Sequence, residues 1–207
     1  SDVHLGPKAA ACADCHDPHY GGMAKPSRAK IADICAKCHA EAVSKFHRSA
    51  HGLALLASDT ADVPVCTDCH QAHAMRETKS VASQMQQTDF CILCHGDEVK
   101  MAKAGLSTAV LQTYLQDFHG VSTRYARKEG SASGEMLATC IACHGSHGIA
   151  SKEGPGALAI KANLMKVCAQ CHAGATESFS KAWLSHYIPS PTQAPLVYFV
   201  RLSYWML

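Results

Sequence analysis

The sequence predicts a mainly α-helical chain with much irregular structure and little or no β-sheet, whose core is not built from its own side chains. Hydrophobic residues make up 47% of the 207 residues. Much of that fraction is Ala and Cys, however, and Leu, Ile, Val and Phe together reach only about 18% of the chain, a level typical of disordered proteins of high net charge. The formal net charge here is only +2, so disorder is not indicated. A bound group is therefore expected to supply the missing core.

The cysteines indicate what that group is. All 12 cysteines fall in six C-x-x-C-H motifs, a pattern typical of c-type haem attachment, in which two thioethers hold the porphyrin and the adjacent His binds the iron. The predicted attachment residues are Cys12, Cys15, Cys35, Cys38, Cys66, Cys69, Cys91, Cys94, Cys140, Cys143, Cys168 and Cys171. The predicted proximal ligands are His16, His39, His70, His95, His144 and His172. We therefore predict six covalent haems c, with the porphyrins as the core.

Two other uses of paired cysteines explain the pattern less well. Disulfide-rich scaffolds contain many cysteines, but they do not require a His after every second one. Zinc ribbons use C-x-x-C pairs, but each four-coordinate site would consume two pairs and leave the six flanking histidines unexplained.

The remaining histidines are candidates for the second axial ligand of each iron. The predicted distal ligands are His4, His19, His51, His73, His119, His147 and His186. Three of them, His19, His73 and His147, lie three residues beyond a proximal His, too close to reach across their own haem, and are expected to bind a neighbouring haem. His47 breaks the pattern and is expected to be spare. Because seven candidates still serve six irons, either His4 or His186 is expected to be unused or to serve a partner.

The motifs repeat three times along the chain. Each repeat contains a His, then C-x-x-C-H-x-x-H, then C-x-x-C-H, which predicts a hexahaem domain over residues 1–188 with repeats at about 1–46, 47–105 and 106–188. Helical periodicity predicts a helix over 107–118 with Ser107 as its N-cap, ended by His119 and Gly120. Similar helices are expected over 40–50 and 176–187. A His at the end of a packed helix would be held in one orientation.

The composition changes after the third repeat. Residues 189–195 contain three prolines and are predicted to form a linker, and residues 196–207 are almost entirely apolar. A spanning helix needs about 20 such residues. The segment is therefore interpreted as the first part of a transmembrane helix, as an interfacial anchor with Tyr and Trp at headgroup level, or as a segment docked on the protein.

The chemistry of attachment also predicts a location. Because thioether ligation of haem is completed outside the cytoplasm, the chain is expected to be exported and to act at the periplasmic or extracytoplasmic face of a membrane, to which it is anchored. It begins without a charged and then apolar signal segment and is interpreted as a processed mature chain. There is no Lys- or Arg-rich run, so no nucleic-acid partner is expected.

The repeated C-x-x-C-H and C-x-x-C-H-x-x-H motifs resemble those of multihaem c-type cytochromes of the class III-like, doubled-motif group. The linker and apolar end resemble the membrane-attached members of that group. The resemblance implies that a periplasmic haem module exchanges electrons with a membrane cytochrome b or quinol-oxidising subunit and with other redox proteins.

The leading interpretation is electron transfer through closely packed haems by a carrier with no catalytic residues. One alternative is a multihaem reductase of a small nitrogen or sulfur oxyanion, which would need an iron with an open position, whereas enough histidines are present to close all six. Another is a subunit of an extracellular haem filament, which a membrane tail would oppose.

Overall fold

A computed structural model describes residues 10–16, 26–58, 62–75, 78, 80–129, 137–151, 161–176, 178–179, 186, 188–192 and 194–206. Within these residues the chain is mostly helical and contains no strand, as predicted. The helices are α1 (Cys12–Cys15), α2 (Arg28–His47), α3 (Ala50–Ala57), α4 (Cys66–His70), α5 (Val81–His95), α6 (Glu98–Lys103), α7 (Ala109–Gln116), α8 (Phe118–Glu129), α9 (Cys140–His144), α10 (Lys161–Cys168) and α11 (Pro195–Met206).

The two motifs of each repeat adopt different local structures. The first motif forms a single helical turn of its own, α1, α4 or α9. The second motif follows several turns of helix: α5 ends at His95, α10 ends at Cys168, and α2 departs from helical geometry at His39, where φ is −116° and ψ is 43°. The predicted repeat of two motifs is therefore also a repeat of a short and a long helix.

Few apolar side chains of the described residues are buried. The central cluster consists of Ile31, Leu55 and Val65, with Phe46 and Val63 packed against it. Many large apolar side chains are instead exposed, for example Leu56, Leu93, Val99 and Phe118. Among the described residues, the chain therefore supplies only a small core of its own.

The helix predicted over 107–118 is shorter in the structure, and a second helix follows it almost directly. Helix α7 ends at Gln116, Asp117 is extended (φ −83°, ψ 168°), and α8 begins at Phe118, so that His119 lies at the start of a helix and not at the end of one. His51 is placed in the same way, in the first turn of α3. The N-cap of α7 is Thr108, although the hydroxyl of Ser107 accepts a hydrogen bond from the Ala109 N–H (3.1 Å). Most of the helix predicted over 176–187 lies outside the described residues.

The apolar end of the chain forms α11. This helix begins at Pro195, a residue suited to the first helical turn because that turn needs no N–H donor. It has no buried residue. None of the helices that the structure describes combines the length and the apolarity needed to cross a membrane.

Candidate haem sites

The proximal histidines of five motifs each face a second histidine. The ring centroids lie 5.9–6.2 Å apart in every case. The pairs are His16–His73, His70–His147, His144–His186, His51–His95 and His119–His172. One member of each pair is a predicted proximal ligand and the other is a predicted distal ligand.

This spacing fits a metal held between the two rings. An imidazole nitrogen typically lies about 2 Å from a bound metal, so two rings on opposite sides of one metal have centroids roughly 6 Å apart. Rings in direct stacking contact would be closer. Exposed Leu53 and Leu56 follow His51, and exposed Val121 and Tyr125 follow His119, which provides apolar side chains for a porphyrin to cover. The residues therefore fit bis-histidine c-type haem.

The pairs fall into two groups that follow the repeat. In the first group, the proximal His of a repeat's first motif pairs with a later histidine: His73 in the next repeat for His16, and His147 in the next repeat for His70. For the third repeat, His186 takes this place opposite His144. In the second group, the proximal His of a second motif pairs with the histidine that opens the same repeat. We call the first group the stacked pairs, with interplanar angles of 17–20°, and the second the tilted pairs, with angles of 45° and 51°.

Burial prepares these rings for ligation. It is the main cause that lowers the pKa of six of them below the ordinary value: His51, His70, His95, His144, His147 and His186. A lower pKa keeps the imidazole neutral at neutral pH. Since a protonated ring has no free lone pair for iron, the structure holds these histidines in the form that a metal requires.

Successive attachment motifs lie next to each other. The Lys37 ammonium, inside the second motif, donates to the backbone carbonyl of Asp14, inside the first (2.7 Å). The thiols of Cys35 and Cys66 are hydrogen-bonded across the second and third motifs, and this contact lowers the pKa of Cys66 to about 7 and raises that of Cys35.

The third to sixth motifs also lie near one another in chain order. The thiol of Cys91 contacts that of Cys140 across the fourth and fifth motifs. Burial and the nearby thiols of Cys168 and Cys171 raise the pKa of Cys143, which places the fifth motif beside the sixth. Between the third and fourth motifs, burial, the Asp68 carboxylate and the Cys94 thiol raise the pKa of Cys69. The motifs therefore follow one another in space in their chain order.

Hydrogen bonds that the sequence analysis missed hold several of these groups. In the first and third motifs the second x residue is Asp: the carboxylates of Asp14 and Asp68 accept from the N–H groups of Ala11 (2.7 Å) and Val65 (2.8 Å) and so cap their own short helices. The pattern C-x-D-C-H was a signal for this. His186 is held from outside its own segment, because its N–H donates to the Thr113 hydroxyl of α7 (2.9 Å).

The other predicted ligands are not members of the five pairs described above. His4 and His19 lie outside the described residues. The proximal His39 lies near His70 and His147, whose pKa values it helps to lower. His47, predicted to be spare, has a buried Nε2 without a hydrogen-bond partner among the described residues. No cluster of three or more metal-binding side chains is found among the described residues.

A comparison with known families agrees with the motif geometry. The doubled CXXCH motif family matches residues 4–44, 57–100 and 132–177, which together cover more than half of the chain. Each match falls inside one predicted repeat, which confirms the threefold repeat. No curated protein and no solved structure matches the chain.

Proposed function

Because the chain belongs to the doubled CXXCH motif family and so carries covalently bound c-type haem, we propose that it relays electrons through six such haems, each with two histidine ligands. Haem supplies the one-electron redox chemistry, and the protein tunes it through axial ligands and burial. The observation that carries the proposal is the set of five histidine pairs at 5.9–6.2 Å.

The two groups of pairs provide a ligand rule for all six irons. In the stacked pairs, His73, His147 and His186 serve the haems of His16, His70 and His144. In the tilted pairs, His51 and His119 serve the haems of His95 and His172. By the same rule, the sixth haem, bound by His39, takes the histidine that opens its own repeat, His4. This assignment uses both His4 and His186. It pairs neither His19 nor His47 with any of the six irons, and so it departs from the sequence prediction that His19 binds a neighbouring haem.

The chain order of the motifs supports a linear relay. Each motif lies near the next, from Lys37 and Asp14 at one end to Cys143 and Cys168 at the other. Electrons would therefore enter and leave at the haems of the first and last motifs, and the residues between them hold successive haems in a fixed series. Five closed ligand pairs also leave little room for substrate at iron, which favours a carrier over a reductase.

We place the relay outside the cytoplasm, where multihaem c-type cytochromes typically act, with α11 as its contact to a membrane. This helix presents Leu196 and Tyr204 at 77% exposure and Trp205 at 85%. Tyr and Trp side chains on an apolar helix of this kind favour the interface between a bilayer and water. A membrane cytochrome b or quinol-oxidising subunit beside it would exchange electrons with the sixth motif, which is the nearest motif to α11 in the sequence.

The number of haems and their bis-histidine ligation are tested on the intact, fully matured protein. Denaturing mass spectrometry should find six haem additions and no free thiol, and magnetic circular dichroism should find six low-spin, bis-histidine irons. Five or fewer haems would contradict the attachment prediction. A full equivalent of high-spin iron that binds nitrite or carbon monoxide would instead favour the reductase.

The membrane contact is tested separately. Deleting residues 196–207 should move the protein from the membrane fraction to the soluble fraction, keep all its haems, and slow its reduction by quinol in membranes. A variant with only Leu196 and Trp205 replaced by Ser should show the same change more weakly. If the truncated protein stays membrane-bound or is reduced as fast, α11 is not the contact.

A further inference from the structure

The two tilted pairs are both built on the same helix corner. At each corner, one helix ends, the chain turns, and a second helix begins with the distal histidine in its first turn: α2 to α3 for His51, and α7 to α8 for His119. The corners read Phe46-His47-Arg48-Ser49-Ala50-His51-Gly52 and Tyr114-Leu115-Gln116-Asp117-Phe118-His119-Gly120. They share an aromatic residue, a helix-capping residue, the histidine and a glycine at identical spacing.

The capping residue fixes the start of the second helix. The Ser49 hydroxyl accepts from the Gly52 N–H (3.1 Å) and donates to the Phe46 carbonyl (2.7 Å). At the other corner, the Asp117 carboxylate accepts from the Gly120 N–H (2.9 Å). Ser49 is only 1% exposed. Each cap therefore binds the residue directly after the distal histidine.

The glycine lets the two helices meet at that point. A Cβ on Gly52 would lie 2.0 Å from the Phe46 carbonyl oxygen, and one on Gly120 would lie 1.9 Å from the Tyr114 carbonyl oxygen. Both obstacles are backbone atoms of the preceding helix, which cannot turn aside as a side chain can. Neither glycine has a positive φ, so each is required for this close approach and not for its backbone conformation.

We propose that this corner is a positioning device for the distal ligand, in which Gly52 and Gly120 hold His51 opposite His95 and His119 opposite His172. Any side chain at the glycine would push the start of the second helix away from the first. The adjacent histidine would then leave its place opposite the proximal ring. The inference rests on the proposed function, because it takes His51 and His119 to be ligands.

A matched control exists within the chain. Gly148 also directly follows a histidine of a pair, His147, but a Cβ on Gly148 would meet only the Lys45 Cβ, at 3.9 Å, which is an ordinary contact. The three Gly→Ala variants therefore make the same chemical change beside the same residue type, and differ in whether backbone blocks the new atom.

The experiment counts low-spin haems in the matured holoprotein by magnetic circular dichroism and titrates carbon monoxide against it. Gly52→Ala and Gly120→Ala should each convert about one haem per chain to a high-spin form that binds one equivalent of carbon monoxide. Gly148→Ala should stay fully low-spin. If Gly52→Ala and Gly120→Ala both mature and stay fully low-spin, the proposal is overturned.

His51→Ala and His119→Ala separate this inference from the ligand rule. If they open a haem while the glycine variants do not, the ligands stand and the positioning role fails. If they open none, the ligand rule itself fails for these haems.

A second pair of variants tests the proposal if the glycine variants do not mature. Asp117→Ala removes the cap acceptor of the second corner, whereas Asp117→Asn keeps one. The alanine variant should bind carbon monoxide at one haem several-fold faster than the wild type, and the asparagine variant should restore the slow rate. Equal rates in all three proteins would contradict the proposal.

Discussion

The stacked and tilted pairs bring two histidines together by different structural means. Two of the three stacked pairs take one histidine, His73 or His147, from the turn just after a C-x-x-C-H motif, and these two pairs join consecutive repeats. A tilted pair takes its distal ligand from a helix corner inside the same repeat. Two stacked pairs therefore connect successive repeats, whereas each tilted pair lies within one repeat.

The difference also appears in the rings themselves. Stacked rings are nearly parallel, at 17–20°, whereas tilted rings lie at 45° and 51°. The corner fixes the backbone of His51 and His119 through a cap and a close contact between helices. The turn that carries His147 is bound differently: just beyond it, the Ile149 carbonyl accepts from the Ala50 N–H of the preceding repeat (2.8 Å). Two different local structures therefore each place a histidine ring about 6 Å from the ring of its partner.

The largest expected effect comes from breaking a stacked pair that joins two repeats. His147→Ala should open the haem of His70 and also loosen the third repeat from the second, because the pair crosses between them. His119→Ala should open the haem of His172 and leave the contact between repeats intact. Both variants should therefore show one high-spin haem, but His147→Ala should lower the thermal midpoint more. Equal midpoints would show that stacked pairs do not connect the repeats.

A smaller effect should distinguish the two groups without any mutation. The angle between axial ligand planes influences the electronic asymmetry of low-spin ferric iron, so the oxidised protein should give two classes of low-spin signal by electron paramagnetic resonance. The nearly parallel class should correspond to three haems and the tilted class to at least two. His119→Ala should remove intensity from the tilted class, and His73→Ala from the parallel class. Loss from the same class in both variants would contradict the assignment.

The smallest expected effect concerns a contact between repeats that involves no histidine. The Arg28 guanidinium of α2 donates to the Val63 carbonyl and to the Asp68 carboxylate of α4, both at 2.6 Å. Because the arginine side chain is only 23% exposed, Arg28→Ala should cost about 1.5–3 kcal/mol of stability, the range for a hydrogen bond to a charged group. The thermal midpoint should fall by a few degrees while all haems stay low-spin.

Lys103→Ala is the matched control for that variant. Lys103 pairs with Asp62 at 2.8 Å, but its side chain is 63% exposed, and exposed ion pairs contribute little. Its midpoint should match the wild type. A high-spin fraction in Arg28→Ala would mean that this contact also positions a ligand.

The sequence by itself determined the doubled C-x-x-C-H motifs and their threefold repeat. C-x-x-C-H is local covalent chemistry, so its residues can be identified without knowing the fold, and the low content of large apolar residues already indicated a core supplied from outside. The sequence also predicted that histidines three residues beyond a motif would serve another haem. It placed the helix ends wrongly at His51 and His119, because apolar periodicity runs through a corner where Ser49 or Asp117 starts a new helix.

Only the tertiary structure decided which histidine faces which. His70 and His147 belong to different repeats, and no spacing along the chain favours that pair over several others. Which histidines form a pair depends on how the repeats pack against each other, through contacts such as Ala50 with Ile149 and Arg28 with Asp68. The role of Gly52 likewise depends on the Phe46 carbonyl that approaches it. Under the proposed ligation, the choice of the second ligand is a property of packing, because a C-x-x-C-H motif is too short to provide that residue itself.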